Sequence, residues 1–295
     1  RGMFSKTLAV LMMAGFVMIA LHLFAQSHLV IPLAAPIGAA LTTGFIATIW
    51  QLIIEEKQKG RIKGMFSAYL APTVVNNLID SGKEPELGGH KEEITAYFSD
   101  IQSFSTFSEL MPASQLVELM NEYLTVCTDL VQEEQGTLDK YIGDAVVAIF
   151  GAPLSVPDHA YRACTATIRV QKGIEDLRKK WRSEGNKWPV IVHYLRARLG
   201  LNTGEAIIGN MGSRTRFSYT MMGDNVNLAA RMESGAKSLG VYTMVTESTK
   251  LECEKHGGDK VLFRFLDRIV VKGRSLPVPV YEIVGFRAEA SEQTL

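Results

Sequence analysis

Polar and apolar positions divide the 295-residue chain into two unlike parts. From Thr7 to Ala25 it reads TLAVLMMAGFVMIALHLFA, without a single Asp, Glu, Lys or Arg. At 1.5 Å per residue, such a helix is about 28 Å long, close to the thickness of a bilayer's hydrocarbon core. A second run without charge extends from Leu29 to Ile54. Pro32 and Pro36 lie near its start, where a missing N–H costs least, and Trp50 suits the far interface. Only Gln26, Ser27 and His28 separate the runs, so a transmembrane helical hairpin is expected over residues 1–54. Arg1 and Lys6 flank it at its first end, and Lys57, Lys59, Arg61 and Lys63 flank it on the same side at its second. The turn between the helices carries no Lys or Arg, so both ends read as cytoplasmic: a multi-pass segment of the cell (inner) membrane. The chain begins at Arg-Gly, and further protein is expected ahead of it.

Beyond the membrane, EEKQKGRIKG continues the second helix into solvent, and the apolar unit MFSAYLAPTVVNNLI comes next. Residues 55–88 thus read as a cytoplasmic connector, 89–287 as a second domain and 288–295 as a tail. In that domain ITAYFSDI is a strand by its β-branched and aromatic content. SQLVELMNEYLTVCTDLVQEEQG has Leu116, Leu119, Met120, Tyr123, Leu124, Cys127 and Leu130 at helical spacing, with Gly136 as the stop. TLDKYIGDAVVAIFG predicts a hairpin turning at Gly-Asp. A second long helix spans about Asp158 to Lys180. RARLGLN and EAIIGNM predict two strands, then a helix from Asn225 and further short strands. Strand–helix–hairpin–helix–strand order predicts an α+β fold with a ferredoxin-like core.

Composition sharpens this division. Thirty-one Lys and Arg balance thirty-one Asp and Glu, which gives no support to nucleic-acid wrapping or a polybasic membrane patch. Cys127, Cys164 and Cys253 form no CxxC pair and fit a reducing compartment. No Walker motif, GxGxxG, HExxH or Ser-His-Asp pattern is present.

Two carboxylates stand where strand text stops. Asp100 ends ITAYFSD ahead of the small-polar loop IQSFSTFSE, and Asp144 sits in the hairpin turn. A carboxylate at a strand end is rigid yet reaches solvent, which suits it to hold divalent cations against phosphates. In RFSYTMMGDNVNLAARME, a helix capped by Asp224 puts Asn227 and Arg231 on one face at i and i+4. An amide and a guanidinium together suit a charged phosphoryl transition state. Taken singly, each of these residues, like Lys140, Thr220 and Lys272, is an ordinary surface or turn side chain.

Jointly they say more. FSDIQSFSTFSE, DKYIGDAVVAIFG, NTGEAIIGNMGS, FSYTMMGDNVNLAARME and VVKGRSLPVPVYEIVG stand in the order and spacing of the class III nucleotidyl cyclases, which the chain resembles from about Gly89 to Gly285. Its hairpin and connector also resemble membrane-anchored bacterial cyclases that follow an extracellular sensor domain. The resemblance implies an adenylyl cyclase that converts ATP to 3′,5′-cyclic AMP and pyrophosphate as a homodimer, with two Mg²⁺ or Mn²⁺ ions per site. It implies that Asp100, Asp144 and the carbonyl of Ile101 hold the metals, and that Phe104 and Ser105 lie in the substrate loop. Asn227 orients the ribose, Arg231 stabilises the transition state, and Lys272 binds the terminal phosphates. Lys140 and Thr220 match a base-selecting pair that reads adenine N1 and its exocyclic amine. The loop departs from the family's common DIRGFT, since Ser103 replaces a glycine near phosphate. Guanylyl cyclases usually carry Glu at the position of Lys140 and Cys or Ser at that of Thr220. A catalytically inactive regulatory domain is the other alternative.

Overall fold

The computed structural model describes residues 2–27, 30, 32, 34–67, 87–213, 215–271 and 276–290. The chain divides into two compact units, 1–69 and 70–295.

The first unit holds two helices, α1 (Gly2–Ser27) and α2 (Ala34–Ser67). Within α2, Ala35–Ile54 is long and apolar enough to cross a bilayer, with a mean hydropathy of 1.7. Its side chains stand exposed rather than packed, Phe45 at 68% and Trp50 at 65%. A shorter apolar stretch, Leu11–Ser27, lies in α1. Gln26 and Ser27, expected in the turn, belong to α1. α2 begins later than its apolar text, after Pro32, and keeps Pro36 in its first turn, where no intrahelical N–H is lost. It then runs without a break through the charged segment to Ser67. The rest of the expected connector, 68–86, lies outside the described residues.

The second unit is built on a mixed sheet. Its strands are β1 (Gly88–Ile101), β2 (Thr137–Ile142), β3 (Ala145–Phe150), β4 (Ala197–Ser213), β5 (Arg216–Met222), β6 (Thr243–Thr246), β7 (Val261–Ile269) and β8 (Val278–Phe286). The helices are α3 (Phe104–Ser108), α4 (Ala113–Glu133), α5 (His159–Ser183), α6 (Asp224–Leu239) and α7 (Glu247–Gly257). The strand order is β2-β3-β1-β4-β6-β8-β7, with β5 paired to β4. Its first four strands pair antiparallel, with α4 and α5 as the crossovers, which is the βαββαβ core that the order of elements predicts. The only parallel pair among the described strands is β4 with β6.

Alternation along the central strands explains the layering. Val146, Ala148 and Phe150 of β3 join Tyr97 and Ile101 in a core with Leu119, Tyr123 and Cys127 of α4 and Ala163, Val170 and Ile174 of α5. Val147 and Ile149 point the other way and pack with Val226 and Ala229 of α6. Both faces of the sheet are therefore covered.

Three local expectations are corrected. RARLGLN and EAIIGNM are one continuous strand, β4, because Thr203 and Gly204 between them stay paired to Thr95 and Ile94 of β1. α4 stops through Gln135, the left-handed residue at φ +62°, rather than Gly136. Gly136 serves packing instead: a Cβ there would lie 2.6 Å from Val131 and 2.7 Å from Phe150. At the start of α6 the N-cap is Gly223, and Asp224 is the first helical residue, where its charge favours the helix dipole.

Candidate active site

Asp100 and Asp144 come together from different strands. Asp100 is the penultimate residue of β1, and Asp144 lies in the β2–β3 turn. The Ile101 N–H donates to Asp144 Oδ2 at 2.9 Å, which ties the two strand ends to each other. Arg198 of β4 stands directly across from Asp100 in the ladder. Its Nη2 reaches Asp100 Oδ2 at 3.3 Å, and its Nε reaches Glu233 Oε1 at 3.1 Å. Glu233 arrives because α6 lies hard against β4: a Cβ on Gly200 would fall 2.0 Å from the Glu233 nitrogen and 2.5 Å from the Ala229 oxygen.

Three carboxylates thus gather near one guanidinium, which pairs with Asp100 and Glu233 but not with Asp144. Burial, then the charges of Asp144 and Glu233, push the Asp100 carboxyl up to about 7, against the pull of Arg198. Burial also raises Glu233. Such a deficit of positive charge, lined with hard oxygen donors, fits a divalent cation. Among the described residues no group of three or more His, Cys, Asp or Glu side chains is placed to hold a metal. Two carboxylates completed by water and phosphate are how Mg²⁺ is commonly bound.

The loop after Asp100 is held by the Gln102 N–H, which donates to the Arg196 carbonyl at 2.8 Å. Ser103 takes φ +59°, and α3 starts at once. Phe104 packs half-buried against the main core, while Ser105 is exposed and its carbonyl accepts from Ser108 Oγ at 2.9 Å.

A second polar centre forms between β2 and β5. Lys140 Nζ donates to Thr220 Oγ1 at 3.0 Å, so the two residues singled out by resemblance do meet within one chain. Thr220 Oγ1 in turn donates to Asp139 Oδ2 at 2.6 Å, and Asp139 Oδ1 lies 3.4 Å from Lys140 Nζ. Burial raises the Asp139 carboxyl, opposed by its bonds to Thr220 and Lys140. Consecutive strand residues normally face opposite ways; here the β2 register shifts between Leu138 and Lys140, and the bulge lets Asp139 and Lys140 reach the same hydroxyl.

On α6, Val226, Leu228, Ala229 and Met232 are buried, and Asn227 and Arg231 share the opposite side, exposed and half-buried respectively. Lys272 lies outside the described residues. Sequence reasoning missed Asp139, Arg198 and Glu233. Arg198 could be sought as the cross-strand partner of Asp100, but only the β1–β4 register shows which residue that is.

Residues 88–285 match the profile of the adenylate and guanylate cyclase catalytic domain. The chain belongs to this family. The cyclase is 32% identical over 220 residues to Adenylate cyclase 1 of Rhizobium meliloti, a match that covers 75% of the chain and 32% of that protein. The chain therefore spans about a third of this relative. The adenylyl cyclase CyaB from P. aeruginosa superposes with a TM-score of 0.60 at 32% identity, over 71% of this chain and 100% of that one. The guanylyl cyclase Cya2 gives 0.58 at 29% identity, over 68% and 95%. Family membership therefore establishes a nucleotidyl cyclase domain; the choice of base rests on the residues of this chain.

Proposed function

We propose that the cyclase acts on ATP, and that it releases 3′,5′-cyclic AMP and pyrophosphate to serve intracellular signalling. The observation that carries this reading is the Lys140–Thr220 hydrogen bond. An ammonium beside a hydroxyl offers a donor for adenine N1 and an acceptor for its 6-amino group. Guanine presents N1–H and O6 instead, and its N1–H would oppose the lysine.

In the reaction the ribose 3′-oxygen attacks the α-phosphorus and pyrophosphate leaves. Asp100 and Asp144, with the Ile101 carbonyl, would hold two Mg²⁺ or Mn²⁺, which supply acidification of the 3′-hydroxyl and charge neutralisation at the triphosphate. Asn227 positions the ribose, and the Arg231 guanidinium offers planar donors to charge that builds on the α-phosphate. Phe104 and Ser105 line the triphosphate side, and Lys272 takes the terminal phosphates.

The site is completed, in this reading, between two copies of the chain: Asp100 and Asp144 come from one protomer, and Lys140, Thr220, Asn227 and Arg231 from its partner. α1 and α2 form a hairpin that anchors the domain on the cytoplasmic face of the membrane, downstream of a sensor. The exposed apolar side chains of Ala35–Ile54 support the anchor.

Purified full chain is assayed with ATP and with GTP, each with Mn²⁺ and with Mg²⁺, and with Asp100→Ala and Asp144→Ala as controls. Cyclic AMP from ATP, abolished in both variants, is the expected result. Preferential cyclic GMP formation overturns the base assignment, and undiminished turnover by either variant overturns the metal assignment.

A further inference from the structure

We infer that Asp139 fixes the direction of the Thr220 hydroxyl and so makes the site read a 6-amino group rather than a 6-oxo group. This rests on the base-reading role proposed above for Lys140 and Thr220, and it adds a positioning residue behind that pair.

A threonine hydroxyl alone does not discriminate. It can accept from the adenine amine or, after rotation about Cβ–Oγ, donate to guanine O6. Here the rotation is prevented. Thr220 Oγ1 donates its proton toward Asp139 Oδ2, 2.6 Å away, and the same oxygen accepts from Lys140 Nζ at 3.0 Å. With Cβ, these occupy three of the four tetrahedral directions around Oγ1. The fourth is a lone pair, and a lone pair can only accept.

Asp139 suits this task. Its side chain is 2% exposed, so water does not compete for the Thr220 proton. An ionised carboxylate accepts and never donates; burial raises the Asp139 carboxyl, and the Thr220 hydroxyl and the Lys140 ammonium 3.4 Å from Oδ1 act against that and favour the ionised form. The bulge in β2 is what makes the arrangement reachable, since a regular strand would turn residue 139 away from the hydroxyl that residue 140 contacts. The chain thus commits a buried acid and a strand irregularity to the orientation of one proton.

The experiment compares ATP with purine riboside 5′-triphosphate, which keeps N1 but has no substituent at C6. The full chain is assayed as wild type, Asp139→Asn, Asp139→Ala, Thr220→Val and the double variant Asp139→Asn/Thr220→Val. In Asp139→Asn the ammonium retains the amide oxygen, so the amide N–H₂ faces Thr220 and the hydroxyl proton turns outward. The expected loss in kcat/KM is about tenfold with ATP and within about twofold with the purine analogue, with a rise in the GTP-to-ATP ratio. Asp139→Ala, which frees the rotor, lowers the ATP-to-analogue preference in the same direction. The double variant is no worse than Thr220→Val, because both act through one contact. Equal losses on ATP and the analogue would show a merely structural residue and overturn the inference. If Thr220→Val abolishes the preference for ATP over the analogue while both Asp139 variants retain it, the inference alone fails. If Thr220→Val retains it, the base-reading role fails and the inference falls with it.

Discussion

Ser103 occupies the left-handed region at φ +59° in the loop after Asp100. A side chain there costs about 1–2 kcal/mol, while glycine costs about 0.5–1 kcal/mol in unfolded-state entropy. Ser103→Gly is therefore expected to raise stability by up to about 1 kcal/mol, and Ser103→Val to lower it by about 1–2 kcal/mol. Urea unfolding midpoints of the two variants check both signs. His159, at the start of α5, is a second residue with a measurable signature. Its ring is buried, with Nδ1 2.9 Å from Thr95 Oγ1, and burial holds its pKa below the usual value against the nearby Glu252 and Glu93. Above about pH 6.5 the ring is neutral in both folded and unfolded chains, so the full stability is present. As pH falls below that point the unfolded state binds a proton that the folded state refuses. Stability should then fall by up to about 1.4 kcal/mol per pH unit from this residue, until the folded value is reached. Denaturation at pH 7.5 and 5.5 should show a larger loss in the wild type than in His159→Gln; parallel losses would count against the assignment.

Elements place the residues that chemistry needs. β4 carries Arg198 at one end and pairs with β5, the strand of Thr220, near the other. The same strand accepts α6 through Gly200, so one long strand serves the carboxylate centre, the Lys140–Thr220 centre and the helix of Asn227 and Arg231. α2 is the other element with a consequence, since it continues unbroken from the apolar run into the charged segment. A continuous helix transmits rotation. An insertion of two residues after Gln58 turns the downstream helix by about 200°, whereas seven residues return it to within about 20° of its phase. Activity or its regulation should change far more with the first insertion than with the second. Equal effects would identify a flexible tether in place of a helical coupler.

At the scale of the whole molecule, a site shared between two copies has a signature of its own. If metals come from one protomer and Asn227 and Arg231 from its partner, the twofold axis makes two equivalent sites. Asp100→Asn and Arg231→Ala homodimers should both be inactive. Co-expression of the two gives heterodimers in which one site carries both defects and the other carries none. With random assembly half the dimers are mixed, each with one intact site of two, so activity should recover to about a quarter of wild type. Verified heterodimers with no activity would place the whole site within one chain.

Local pattern in the sequence was enough for the βαββαβ order, the long helices, the β2–β3 turn and the apolar helices, because each depends on spacings that a short stretch carries by itself. Asp100 and Asp144 each stand where strand text ends, but the resemblance of the whole set of segments is what singled them out. What tertiary structure alone decided are the partners. Arg198 is a plain strand residue until the β1–β4 register puts it across from Asp100. Glu233 is a plain helix residue until Gly200 lets α6 close on the sheet. Asp139 reads as facing away from Lys140 until a bulge turns both to Thr220, eighty residues further along. Register, bulges and helix approach are set by the packing of distant segments, and the charges and protons of the site depend on them.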